Sequence, residues 1–283
     1  MCPRLRPMLA VMISVAILCA YVTAQQTKEQ LSPADLVKAV IHNEMNNPEG
    51  SQAKWRYVLD KEIGGKQETR DVVETKSGVL DRLISLAGIP LSDAQQRDET
   101  KRILQLSNSP EQQRKMEANR RKDAEQCNAF LAMIPDAFVF EYAGQQPGSA
   151  LHRLVFKPNP TYRPPSWEGK ILHQMTGEMW VDTEQMRLVS ISGQLLNDIK
   201  FAGGLLGHLE KGGTFFVKRA QLEPGQWETI AMQVNMKGKA LLFKTLSVQQ
   251  KEVHRSFERV SPDLTIADAA GLLLKQSLIA ANR

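Results

Sequence analysis

From residue 137 to residue 257 the sequence reads as strand after strand, and that run limits what the chain can become. Segments 138–140, 151–156, 170–182, 186–195, 214–220, 227–236 and 241–248 each have strand character. The clearest is 227–236. Ile230, Met232, Val234 and Met236 fall on one side and Thr229, Gln233 and Asn235 on the other, the period of two of a half-buried strand. Asp182-Thr183-Glu184-Gln185 and Met236-Lys237-Gly238-Lys239 read as turns between strands. Many strands with few helical crossovers predict an α+β fold, an antiparallel sheet with helices gathered on one face.

The N-terminal half adds the rest of the frame. Ser32-Pro33-Ala34-Asp35 has the N-cap, first-position proline and early carboxylate of a helix start. Leu36, Val37, Val40 and Ile41 then form one stripe, stopped at Asn46-Asn47-Pro48. Trp55, Tyr57 and Leu59 alternate with Lys54, Arg56 and Val58, and Gly64-Gly65 turns the chain into a second strand; 78–86 is a third. Residues 92–134 interrupt the strands as a helical insertion. Ser92 with Gln95 and Ser109-Pro110 with Gln112 repeat the capping pattern. Its run of Arg114, Lys115, Arg120, Arg121 and Lys122 is interleaved with Glu111, Glu117, Asp123 and Glu125, the pattern of a solvated helix. An apolar stripe appears only later, at Cys127, Phe130, Leu131 and Ile134. Ser261-Pro262-Asp263 reads as the cap of a last helix with Ile266, Ala270, Leu273 and Leu274 on its apolar face.

Arg4 and Arg6, the short apolar run 8–20 and Val22-Thr23-Ala24 have the layout of a secretory signal cleaved after Ala24. The run is shorter than the roughly 20 residues needed to span a bilayer. Loss of Arg4 and Arg6 lowers the formal charge from +5 to +3, which gives no case for nucleic acid. Residues 25–283 are expected to form a single domain carrying the insertion, as a monomer in the periplasm or medium. Cys127 is the one cysteine outside the signal, so neither an internal disulfide nor a zinc cluster is available.

Chemistry leaves few marks. His42, His152, His173, His208 and His254 lack metal-site spacing, no nucleophile elbow is present, and 203–207 is glycine-rich without the lysine of a phosphate loop. The chain reads as a non-enzyme without cofactor or metal, with a secreted hydrolase whose site assembles from distant residues as the remaining alternative. Two strands, 170–182 and 186–195, read as apolar on both sides. Either helices cover both faces or one face is a cavity. The proline-stiffened loop 157–166, with Tyr162, Trp167, Lys157 and Arg163, is either a cavity mouth that meets an anionic head group or a plain surface connection.

The segment Gly177-Glu178-Met179-Trp180-Val181-Asp182-Thr183-Glu184-Gln185-Met186-Arg187-Leu188-Val189 resembles the strand–Asp–turn–strand hairpin of LolA-like lipoprotein carriers and their RseB-type and LppX-type relatives. The resemblance implies a strongly curved antiparallel half-barrel whose concave side is covered by helices and holds acyl chains. It also implies a lipid or lipoprotein acyl chain as partner, with peripheral membrane contact and a protein partner in the envelope. In this sequence the lining residues would be Met175, Met179, Val181, Ile230, Met232, Val234 and Met236. Ordinary packing against a covering helix explains the same residues equally well, and an interaction or envelope-stress regulatory module with a filled core is the alternative.

Overall fold

In the computed structural model, residues 30–46, 53–201, 207–240 and 244–281 are described. Helix α1 (Pro33–Met45) precedes β1 (Lys54–Ile63), β2 (Lys66–Thr75), β3 (Gly78–Leu86) and the two-residue β4 (Ile89–Pro90). Helices α2 (Asp93–Ser107) and α3 (Pro110–Ala137) follow, then β5 (Phe138–Gln145), β6 (Leu151–Pro158) and a short α4 (Trp167–Leu172). The remainder is β7 (Met175–Asp182), β8 (Arg187–Leu195), β9 (Ile199–Phe201), β10 (Gly207–Leu209), β11 (Thr214–Glu223), β12 (Gln226–Ala240), β13 (Lys244–Val260) and α5 (Ile266–Ala281). The α+β class is as expected, with all thirteen described strands in one open antiparallel sheet. Its order is β4-β3-β2-β1-β13-β12-β11-β8-β7-β6-β5, and β9 and β10 branch from β12.

Directly opposed residues in antiparallel strands share a face, so the register defines that face from edge to edge. One row runs Leu86, Glu68, Lys61, Glu252, Met232, Val217, Ile191, Met179, Leu154, Tyr142. It is charged at the β2–β1–β13 end and apolar from β12 onward. A core forms on this inner face over β5–β8. Leu36, Val37, Val40 and Ile41 of α1 and Ile134 and Ala137 of α3 pack there on Phe138, Phe140, Leu154, Phe156, Met179 and Val181. Gly177 and Gly193 sit opposite each other in this part of the sheet, under the rings of Phe156 and Phe215. A second core joins Val73 and Leu80 to Ile103 of α2 and to Ile266, Ala269, Ala270 and Leu273 of α5. Val72 opposes Tyr57, on the inner face, so its neighbour Val73 points outward. Helices α2 and α5 therefore cover the outer face of the β2–β3 end, an addition to the expected cover of the concave side.

Helix α3 joins the two cores and reports the curvature. Met116 packs on the second core and Leu131 on the first, whereas the helix between them is exposed. About 22 Å of helix axis separates these residues, at about 1.5 Å per residue. The sheet path from β3 to β5 crosses nine strand steps, or about 43 Å at about 4.8 Å each. Only a strongly curled sheet brings its two ends within the span of one helix.

Several local expectations need correction. Residues 167–172, expected partly as strand, are α4, because Ser166 caps a helix by accepting from Gly169 N. The two-sided apolar reading of 186–195 comes from a bulge. Pairing passes from Trp180–Ser190 to Val181–Leu188, leaving Val189 out of register and placing Leu188 and Ile191 on the same face. Residues 236–239 are not a turn, since β12 runs on to Ala240. Gly238 is needed there because any Cβ would strike the carbonyl oxygen of His208 in β10. The last helix is capped by Thr265, whose hydroxyl accepts from Asp268 N while Asp268 Oδ2 accepts from Thr265 N, rather than by Ser261. Strand β13 extends to Val260, beyond the expected 241–248, of which 241–243 lie outside the described residues. The glycine-rich 203–207 lies outside them too, except for Gly207, which opens β10.

Candidate functional site

The seven candidate residues divide into two groups. Met175, Met179 and Val181 are 3%, 0% and 0% exposed and lie inside the first core. Ile230, Met232, Val234 and Met236 are half-buried on β12. Met232 shares the inner-face row with Met179, three strand steps away through Val217 and Ile191. Val234 lies in the next row, beside Phe215, and Met236 packs on the margin of the first core. Ile230 is displaced by a bulge, since pairing passes from Lys218–Ala231 to Arg219–Thr229. The described helices make their main sheet contacts on β2, β3, β5, β8 and β9. The apolar inner face thus continues from a covered core onto less covered strands.

The end of α1 is pinned beside this strip by charge. Leu188 N donates to Glu44 Oε1 at 3.0 Å, and Arg187 and Arg219 both reach Glu44 Oε2. Asn43 Nδ2 donates to the Met186 carbonyl at 3.3 Å, while Arg187 Nη1 donates to the Asn43 carbonyl at 3.1 Å. These contacts fasten α1 to the β7–β8 turn and to β11.

Toward β1 the same face becomes polar. Trp55 touches two half-buried carboxylates, donating from its backbone N to Glu74 Oε2 at 3.2 Å and from Nε1 to Glu228 Oε1 at 3.1 Å. Burial, reinforced by the charge of Glu74 and opposed by Arg219 and the Trp55 bond, pushes Glu228 up to about 7. Burial also raises Glu74 against the Trp55 bond and Lys54. Tyr57 stacks on His254 with ring centroids 5.0 Å apart, and burial, then Glu74 and Glu228, hold its phenol above the usual range. The His254 ring, together with Lys61 and Gln250, outweighs burial and brings Glu252 down to about 2. His254 Nε2 is 3.7 Å from Glu252 Oε2, an ion-pair separation longer than a hydrogen bond. Sequence reasoning missed this cluster because its members lie on four strands up to 200 residues apart and share no motif.

A cavity of about 680 Å³ opens on the outer face between β1–β3, β13, the start of α2 and α5. Val58, Leu83, Ile84, Leu91 and Leu273 supply apolar wall. Inside it, Arg56 grips Asp71 with two bonds, Nε to Oδ1 at 3.0 Å and Nη2 to Oδ2 at 2.6 Å. Arg82 is 9% exposed and donates from Nη1 to the Leu273 carbonyl at 2.8 Å; burial pushes its guanidinium below the ordinary value. No pattern in the sequence points here either, since alternation marks which strand residues share a face but not which helix closes over them.

The proline loop is tied inward. Asn159 Nδ2 donates to the Asp136 carbonyl at 2.9 Å, and His173 Nε2 lies 3.0 Å from the Asn159 carbonyl. Lys157 pairs with Glu141, and Arg163 donates to carbonyls of its own loop. Cys127 and Phe130, expected on the apolar stripe of α3, are exposed. No group of three or more potential metal ligands occurs among the described residues, and none of their helices is long and apolar enough to cross a membrane.

No protein-family model matches the sequence, and no curated protein matches it. Among solved structures, a DUF1329 family protein from Desulfovibrio piger ATCC 29098 is similar over 85% of this chain and 97% of its own, at 12% identity and a TM-score of 0.27. MucB, solved in complex with MucA(peri), is similar over 79% of this chain and 94% of its own, at 10% identity and a TM-score of 0.21. Neither likeness is close enough to carry function.

Proposed function

We propose that this chain is an exported envelope protein, monomeric and non-catalytic, that holds an acyl chain of a lipid or lipoprotein against the inner face of its curved sheet. The observation that carries the reading is the continuation of the apolar row from the sealed core at Met179 onto the half-buried Met232 of β12. Met232, Val234, Met236 and Ile230 would meet the chain, with Met175, Met179 and Val181 forming the fixed base behind them. Methionines suit this role because their flexible, polarisable side chains follow irregular apolar shapes. Reversible burial needs no cofactor: each methylene withdrawn from water contributes about 0.8 kcal/mol. Helix α3, held at its two ends and bare between them, is the element to move on loading, with peripheral membrane contact supplying the chain. The test is transfer of a fluorescent phospholipid from vesicles to the mature protein. Met232→Glu and Val234→Glu are expected to abolish uptake while leaving the fold intact by circular dichroism. Uptake equal to wild type in both variants would overturn the assignment.

A second reading is favoured by the complete burial of Met175, Met179 and Val181. A filled core of that kind suits an interaction module that recognises an envelope protein through an edge strand, β4 or β5, or through exposed α3. Pull-down of one specific envelope protein by a variant unable to take up lipid would support it.

A further inference from the structure

The outer-face cavity is separate from the strip just assigned, and its charge is uneven. Five charged side chains line it, Arg56, Asp71, Arg82, Asp93 and Glu258, beside the neutral phenol of Tyr57. Arg56 and Asp71 neutralise each other through their paired bonds. Asp93 and Glu258 are exposed, where solvent screens them. Glu99 faces Arg82 from α2, but its carboxylate is taken by Arg102 and by Leu83 N. Arg82 is left as a cation more than nine-tenths buried, with one bond to a neutral carbonyl and no ion-pair partner among the described residues. A guanidinium has five donors in a fixed fork that fits a carboxylate or phosphate, and an unpaired buried charge is costly unless a partner arrives. The walls beside it are apolar, and the volume of about 680 Å³ lies within the range of about 300–1,000 Å³ seen for small-molecule sites.

We infer that this cavity is a ligand site for a single-chain anionic amphiphile, its carboxylate or phosphate taken by Arg82 and its chain laid along Val58, Ile84 and Leu91. The bond from Arg82 to Leu273 makes α5 the wall nearest the head group, and the apolar rim at Ile84 gives the chain its way in.

The experiment uses the full mature chain with oleate and oleyl alcohol as probes, each titrated below its aggregation concentration and read by native mass spectrometry and by change in tryptophan fluorescence. Wild type is expected to bind oleate at least tenfold more tightly than the alcohol. Arg82→Gln should remove that preference, and Val58→Trp, on the outer face beside Asp71, should fill the cavity and weaken both. The same titrations are run in the Met232→Glu background, which closes the inner strip, so that the preference read there belongs to the outer cavity. Decyl phosphate competing with oleate would extend the site to phosphate heads; failure to compete would restrict it to carboxylates. Equal affinity of wild type for oleate and its alcohol would overturn the inference, a result that stands even if Arg82→Gln fails to fold. Full preference retained in a folded Arg82→Gln variant would overturn it as well.

Discussion

Replacing Glu228 by Gln should change how stability depends on pH, with a sign and size set by the half-buried carboxylates beside Trp55. In the folded chain Glu228 sits at about 7 rather than its ordinary 4.5, first through burial and then through Glu74. A carboxylate with a raised folded value favours the native state when protonated. Its contribution is therefore fully present below about pH 4.5 and lost as pH rises through about 7. That displacement is worth at most about 3 kcal/mol, the value if no water reaches the group. Gln keeps an oxygen to accept the Trp55 Nε1 bond and carries no charge, so it mimics the protonated form. Urea unfolding followed by tryptophan fluorescence, run at pH 5 and pH 8 on both proteins, isolates the effect. The variant should lie within about 1 kcal/mol of wild type at pH 5 and exceed it by about 2–3 kcal/mol at pH 8. Comparing the two proteins at each pH cancels groups that titrate alike in both, such as Glu252. A difference that stays constant from pH 5 to pH 8 would refute the reasoning.

Three further substitutions probe the frame. Gly177→Ala drives a Cβ into the Ser192 carbonyl and within 2.8 Å of Phe156 Cζ, and should destabilise by about 3 kcal/mol or more, because backbone cannot step aside as a side chain can. Glu44→Gln breaks the buried charge cluster with Arg187 and Arg219 and should cost about 3–5 kcal/mol in chemical denaturation. Met179→Ala, in the sealed core, should cost about 2–5 kcal/mol, whereas half-buried Met232→Ala should cost about 1 kcal/mol. Equal losses at the two methionines would deny the distinction between fixed base and open strip.

Local signals in the sequence were reliable where the physics is local. Ser92 and Gln95 form the reciprocal cap read from their spacing, and Ser109 caps α3. Asp182 Oδ1 accepts from Glu184 N and Gln185 N, which makes the expected β7–β8 turn. Alternation on β12 placed Met232, Val234 and Met236 together. What failed needed knowledge of a partner strand. The bulges at Val189 and Ile230 shift a face by one residue, and nothing in either segment alone announces it. Gly238 looks like a turn residue, but it is a glycine because β10 crosses there. Arg82 gave no signal, since its isolation depends on where β2, α2 and α5 place Asp71, Glu99 and Leu273.

The most direct measurement is native mass spectrometry of the mature protein taken from an envelope fraction without detergent. An adduct of lipid mass, released by organic extraction and lost in the Val234→Glu variant, is the predicted result. A bare mass that stays bare after incubation with lipid vesicles would contradict the account.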